Sequence, residues 1–144
     1  MPFRGTYDHT LDVKNRLTVP VKFRVPLGDG LIVARGIESC VTVWTPEGFE
    51  DWTGEMIDAL GRLSQQGRDF RRAVSASAFE TDLDAAGRIM LPPRLIEHAT
   101  ITRDVTVIGN VDSFEVWDRE LWNEWDTRIA PEIVPMTNSI GTNA

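Results

Sequence analysis

A motif that occurs twice constrains this chain more than any other feature. Leu11-Asp12-Val13-Lys14-Asn15-Arg16-Leu17-Thr18-Val19-Pro20-Val21-Lys22-Phe23-Arg24 returns 72 residues later as Leu83-Asp84-Ala85-Ala86-Gly87-Arg88-Ile89-Met90-Leu91-Pro92-Pro93-Arg94-Leu95-Ile96. In each copy Asp precedes Arg by four, and three strand-like residues lead from that Arg to a Pro. At an offset of 73 the match continues: Val43-Trp44 is echoed by Val116-Trp117, Phe49 by Trp122 and Trp52 by Trp125. One copy alone would pass for an ordinary hairpin; two copies make the chain a tandem duplication, so its fold has to be built from two similar halves.

Local chemistry then sets the elements. Thr6 to Asp12 reads as a strand, and Asp12 to Asn15 as a tight turn, because Asn tolerates the left-handed backbone and Gly87 stands at the matching place. Arg16 to Val19 and Arg88 to Leu91 alternate as second strands, stopped by Pro20 and Pro92. Short helices are expected at Val21–Val25, cut by Pro26, and at Pro93–Ala99. Leu31 to Ala34 with Cys40 to Trp44, and Val105 to Ile108 with Phe114 to Trp117, read as two hairpins. A helix closes each half. Thr45 is expected to cap the first, whose Phe49, Trp52, Met56 and Leu60 share a face; Asp118 is expected to cap the second, lined by Leu121, Trp122, Trp125 and Ile129. A linking helix is expected at about 68–78, after a break at Gln65-Gln66-Gly67, and an irregular, flexible tail from Pro131. The implied organisation is a first repeat over 1–62, a link over 63–80, a second repeat over 81–130 and a tail over 131–144.

Each half is thus β-β-short helix-β-β-helix, an α+β chain with a mainly β core. Four short strands cannot enclose a core alone, whereas two interleaved halves can, as a small closed barrel without open edges. With 144 residues, 42% of them hydrophobic, there is enough material for one such body. No run approaches the roughly 18 apolar residues of a membrane helix, and no signal-like segment follows Met1. A soluble, cytoplasmic chain is expected. The single Cys40 allows no internal disulfide and no cysteine metal cluster, and no metal or other cofactor is expected.

The net charge of −7 opposes a polyanionic partner on its face, but its distribution is uneven. Residues 1–36 carry six Lys and Arg against three Asp and Glu, whereas 37–69 carry two against seven. Residues 70–103 carry five against four, and 104–144 two against eight. Positive charge therefore travels with the repeated motif and negative charge with the helices after it. A polyanion responds to the field of the docking face and not to the sum over the chain.

Lys14, Asn15 and Arg16 lie at the first turn with Lys22 and Arg24 just beyond; Arg88 and Arg94 hold the second. An Arg fork fits phosphate oxygens or the O6/N7 edge of guanine, Asn can read adenine, and a two-stranded β element is narrow enough for the major groove. A plainer role competes for each Arg, as partner of its own Asp across the turn: Asp12 with Arg16, Asp84 with Arg88. The Asp residues, Gly87, Pro20 and Pro92 read as structural. His9 and His98 have no His or Cys at ligand spacing, and the Trp and Phe residues at helical spacing read as core or subunit interface. No phosphate-binding Gly loop, nucleophile elbow or clustered carboxylate pair appears, so an enzyme is not expected.

At these residues the chain resembles a known family. Phe3-Arg4-Gly5-Thr6-Tyr7, His9-Thr10-Leu11-Asp12, Lys14-Asn15-Arg16-Leu17 and Pro20-Val21-Lys22-Phe23-Arg24 resemble the start of the MraZ family, within the AbrB-like superfamily. Asp84…Gly87-Arg88-Ile89…Pro92 and Gly109…Phe114-Glu115-Val116-Trp117-Asp118 look like the same family, so the likeness covers about residues 2 to 126. It implies a duplicated, swapped-hairpin, double-split β-barrel with flanking helices, assembled as a homo-oligomeric ring that presents basic tips to double-stranded DNA. It further implies a transcriptional regulator that binds short direct repeats in the promoter of the division and cell-wall gene cluster, at the nucleoid. The family's signature Arg falls on Arg16 and Arg88, and its neighbouring basic positions on Lys14 and Arg24. Asn15 stands where Gly is usual, and Ala86 where the first copy has Lys14, so the second tip is the less basic. An antitoxin-like module that holds a protein through its acidic, Trp-rich helices is the alternative within the same superfamily.

Overall fold

A computed structural model of the chain describes residues 2–142. The first half runs β1 (Thr6–Thr10), β2 (Arg16–Thr18), α1 (Val21–Arg24), β3 (Leu31–Arg35), β4 (Val41–Trp44) and α2 (Pro46–Leu60). A linking helix α3 (Gln65–Ser77) leads to β5 (Phe79–Thr81), β6 (Arg88–Met90), α4 (Pro93–His98), β7 (Asp104–Gly109), β8 (Ser113–Asp118) and α5 (Arg119–Ile129). A 3-10 turn, Ala130–Glu132, then opens into α6 (Ile133–Thr142).

Two sheets form, a six-stranded one in the order β1-β7-β8-β4-β3-β5 and a two-stranded ribbon of β2 and β6, antiparallel throughout. The order reads the same from either end when the halves are exchanged. β1 crosses to β7 of the second half and β5 returns to β3 of the first, while β2 pairs with β6. By that exchange each half supplies the edge and ribbon strands that cover its twin.

The α+β class and interleaved halves expected of the sequence are present. The closed, edgeless barrel is not, because the ladder ends at β1 and β5 and stays open. Side chains finish the enclosure instead. Leu17 and Ile89 of the two ribbon strands, with Val19 and Leu91 just after them, drop onto the face of the sheet carrying Val33, Val41, Val43, Val105, Val107 and Val116. Phe3, Phe23 and Phe114 fill the middle, all fully buried, with ring centroids 5.2–5.5 Å apart. The opposite face of the sheet carries Trp44 and Trp117, covered by α2 and α5. The molecule is therefore three layers, ribbon and short helices on sheet on long helices.

Five local expectations are corrected. The linking helix starts at Gln65, three residues early, because Ser64 caps it by accepting from the Gly67 N–H at 3.0 Å. Gly67 is no breaker; a Cβ there would meet the Gly61 carbonyl, so it permits close approach, and the break is Gly61 at φ 88°. Pro26 does not end the first short helix but sits inside a 3-10 turn, Val25–Leu27, that extends it. Thr45 caps α2 as expected, its Oγ1 accepting from Gly48 at 3.0 Å, whereas Asp118 makes no cap bond and instead faces the N–H and hydroxyl of Thr102. Finally, residues 130–142 form the 3-10 turn and α6 where an irregular tail was expected.

Candidate nucleic-acid interface

The repeated motif builds two matching turns, one beside each end of the ribbon. In the first, Asp12 N–H donates to the Arg16 carbonyl and Asn15 N–H to the Asp12 carbonyl, at 3.1 and 3.0 Å. The second repeats this with Asp84, Arg88 and Gly87 at 3.0 and 2.9 Å. Asn15 at φ 59° and Gly87 at φ 74° supply the left-handed residue the turn demands. The ladder then runs on past the strands, since Val19 N–H donates to Gly87 and Leu91 N–H to Asn15, so each turn is tied to the opposite half.

The two Asp residues work as clamps. Asp12 Oδ1 accepts from the N–H of Lys14 and of Arg16, and Oδ2 holds Arg16 Nε at 2.6 Å. Asp84 does the same with Ala86, Arg88 and Arg88 Nε, the last at 2.9 Å. The backbone N–H of the paired Arg, more than its guanidinium, holds each carboxyl below the usual carboxylate range. Both carboxylates stay ionised at neutral pH and fix their guanidiniums in place. Arg16 is held by Asp12 through Nε, with its side chain 29% exposed. Arg88 is 32% exposed, and its Nη1 lies 4.0 Å from Asp12, so the first carboxylate touches both arginines. The structural role and partial exposure coexist: Nε of each Arg serves its turn while about a third of the side chain stays exposed.

Period-two alternation settles what else shares that face. Leu17 and Ile89 point into the core, so Arg16, Thr18, Arg88 and Met90 point out, with Arg16 opposite Met90 and Thr18 opposite Arg88. Thr18 and Met90 were not singled out in the sequence, although the same alternation marks them. Val13, 97% exposed, and Lys14 stand at the apex of the first turn, and Ala85 and Ala86 at the second.

The remaining basic residues separate. Lys22 is exposed on α1. Arg24 is half-buried, its Nε donating to the Val19 carbonyl at 2.9 Å while its guanidinium lies over Gly87, where a Cβ would stand 2.5 Å from it. Arg24 thus braces the second turn, which makes it a positioning residue for the ribbon. Arg94, the repeat counterpart of Lys22, lines a cavity of about 540 Å3 with Arg35, Ser77 and His98, between α3 and α4. Pro20 and Pro92 stand at the helix N-caps that redirect the chain after each ribbon strand. His9 is pushed below its ordinary value, chiefly by burial, so it adds no charge at neutral pH.

Among the described residues no helix is long and apolar enough to cross a membrane. The chain matches the model of the MraZ protein family, whose description carries an antitoxin-like label, over residues 2–72 and again over 75–133. The two matched stretches coincide with the two interleaved halves and each contains one clamped Asp–Arg turn. The chain belongs to the MraZ family.

Proposed function

We propose that the chain is a sequence-specific DNA-binding transcriptional regulator that works without a cofactor. One observation carries the reading. The outer face of the β2–β6 ribbon carries two partly exposed arginines, diagonal to each other on a two-stranded element, each pinned through Nε by its own Asp. A ribbon of that width fits the major groove, and a fixed fork loses little freedom on meeting guanine or a phosphate. Lys14 adds charge at the first turn, and Ala86 leaves the second weaker, so Arg16 and Lys14 are the main contacts and Arg88 and Lys22 support them, with Arg24 acting through the turn it braces and Arg94 set apart beside its cavity.

One ribbon makes few contacts, so useful affinity comes from several copies in a ring, each meeting one of a set of direct repeats in the promoter of a division and cell-wall gene cluster. Linking the contacts raises affinity through effective concentration. In this reading residues 1–62 and 81–130 are the two AbrB-like repeats joined by 63–80, and the protein acts at the nucleoid. Arg16→Ala should weaken promoter binding by about 1–3 kcal/mol per engaged subunit, measured by fluorescence anisotropy on the repeat-bearing duplex and on a scrambled one. Arg16→Lys keeps the charge and loses the fork, so its deficit should appear on the promoter and not on the scrambled duplex. An Arg16→Ala protein that folds and binds both duplexes like wild type refutes the assignment, and capture of a partner protein on the acidic face of α5 would then favour the antitoxin-like reading.

A further inference from the structure

The duplication gives α2 of the first half a covering helix, whereas on α5 of the second half Leu121, Trp122 and Trp125 stay half-buried with no such cover among the described residues. On α2, Trp52 stacks on Trp44 at 5.0 Å and is covered by Phe70 of α3 at 5.7 Å. On α5, Trp122 and Trp125 stack at 4.9 Å over Trp117, but among the described residues no helix packs there as α3 packs on α2. What remains is an open groove of about 310 Å3 lined by Trp117, Leu121 and Trp125 together with Glu38, Ser39, Glu124 and Arg128.

The positional counterpart of α3 is α6. It contains no charged residue, and Ile133, Val134, Met136 and Ile140 are 49%, 66%, 49% and 73% exposed; it packs chiefly on the 3-10 turn before it. Ile133, Met136 and Ile140 fall on one helical stripe, the pattern of a helix made to be covered. It cannot cover its own α5 as α3 covers α2. That reversal needs Gly61 at φ 88° and Gly67 packed on the Gly61 carbonyl. Continuing the 73-residue offset puts Val134 and Ile140 at those places, and a β-branched residue suits neither. The chain therefore carries both a mixed, Trp-lined groove with no helix over it and an apolar helix with no groove under it, and a second copy satisfies both.

We propose that α6 of one copy docks on the Trp122–Trp125 face of α5 in a second copy, in the place that α3 holds on α2. A ten-residue helix supplies less than the roughly 800 Å2 per partner of a standard interface, so it acts as a strap between subunits that also meet elsewhere. The strap deepens the assembly proposed above and is independent of DNA binding.

Cross-linking between two singly substituted proteins tests it. One carries Ile140→Cys and the other Glu124→Cys; Cys40 is buried with its thiol pushed up by burial, and stays unreactive. Mixed and treated with a short bis-maleimide, they should give a covalent dimer on a denaturing gel, well above either protein alone. Adding Ile133→Ser and Met136→Ser to the first protein should abolish that band, and the triple variant Ile133→Ser, Met136→Ser, Ile140→Ser should raise the dissociation midpoint of the assembly at least tenfold by analytical ultracentrifugation. Because these side chains are exposed, the substitutions leave the fold intact, which circular dichroism checks. No hetero-dimer band, or cross-linking only within a chain carrying both cysteines, overturns the strap. A ring that keeps its mass and midpoint in the triple variant overturns it too, while leaving the assembly and DNA readings standing.

Discussion

Gly87 is where turn conformation and inter-half packing meet, and Gly87→Ala puts a number on both. At φ 74° an added Cβ is in the left-handed region, which for an L-residue costs about 1–2 kcal/mol. The same Cβ would stand 2.5 Å from Arg24 Cζ and Nε. That guanidinium is the far end of a flexible side chain and can swing away, but only by giving up its 2.9 Å bond to the Val19 carbonyl. A net hydrogen bond is worth about 1 kcal/mol, so the substitution should destabilise by about 2–3 kcal/mol in all. Urea unfolding followed by tryptophan fluorescence, at fixed protein concentration, reads the difference. Two further variants isolate the terms. In an Arg24→Ala background the collision is gone, and Gly87→Ala should cost only the left-handed share, about 1–2 kcal/mol, a non-additivity that a double-mutant cycle exposes. Gly87→Asn should be milder than Gly87→Ala although Asn is larger, because Asn15 already holds φ 59° at the matching turn. A Gly87→Ala protein within about 0.5 kcal/mol of wild type, the scatter of an ordinary surface substitution, would refute the reasoning. So would a penalty that Arg24→Ala leaves unchanged.

Other outcomes follow from the same geometry. Phe23→Ala removes the ring that meets Phe3, Tyr7 and Phe114 in the centre of the core, and should cost about 3–5 kcal/mol in the same unfolding assay. Thr45→Ala loses the one side-chain cap on α2 and should cost about 1 kcal/mol, whereas Asp118→Ala on α5, where no cap bond exists, should cost less. Glu115 is pushed above its ordinary value of 4.5 mainly by burial, although Trp117 Nε1 donates to it at 2.9 Å. The folded state then holds that proton longer than the unfolded one, so its contribution to stability falls as pH rises from the unfolded value through the raised folded value. Glu115→Gln should gain on wild type across that window as pH increases, and a difference flat with pH contradicts the assignment. Asp12 and Asp84 have the opposite sign: their stabilisation is present above 3.8 and is lost as pH falls through their depressed folded values.

What the sequence discloses about this molecule depends on whether the governing interaction is local. The turn at Asp12–Arg16 is legible because Asp, a left-handed residue and Arg at fixed spacing make their bonds among themselves, and the second copy verifies the pattern. The interleaving is legible from the duplication, since four short strands enclose nothing alone. Which strands pair is not: β1 and β5 are five and three residues long, and their alternation suits any apolar neighbour. Asp118 reads as a cap by type, yet Thr102, far off in sequence, draws its carboxylate away. Gly67 reads as a breaker because composition carries no sign of the Gly61 carbonyl beside it. In the site, Arg16 and Arg88 could be placed from the motif alone. That Arg24 braces the other half's turn, and that Arg94 lines a cavity beside α3, depends on contacts between halves that no spacing records.

The most direct test of the ribbon as a DNA reader is a binding titration at several salt concentrations, with the chain's own upstream promoter against a scrambled duplex of equal length. Wild type should prefer the promoter at every salt concentration. Arg16→Ala should lose that preference, and the slope of log affinity against log salt should shrink by about one for each phosphate contact removed. Equal weak binding to both duplexes, vanishing at moderate salt and unchanged in the variant, would contradict the claim that the clamped arginines read DNA.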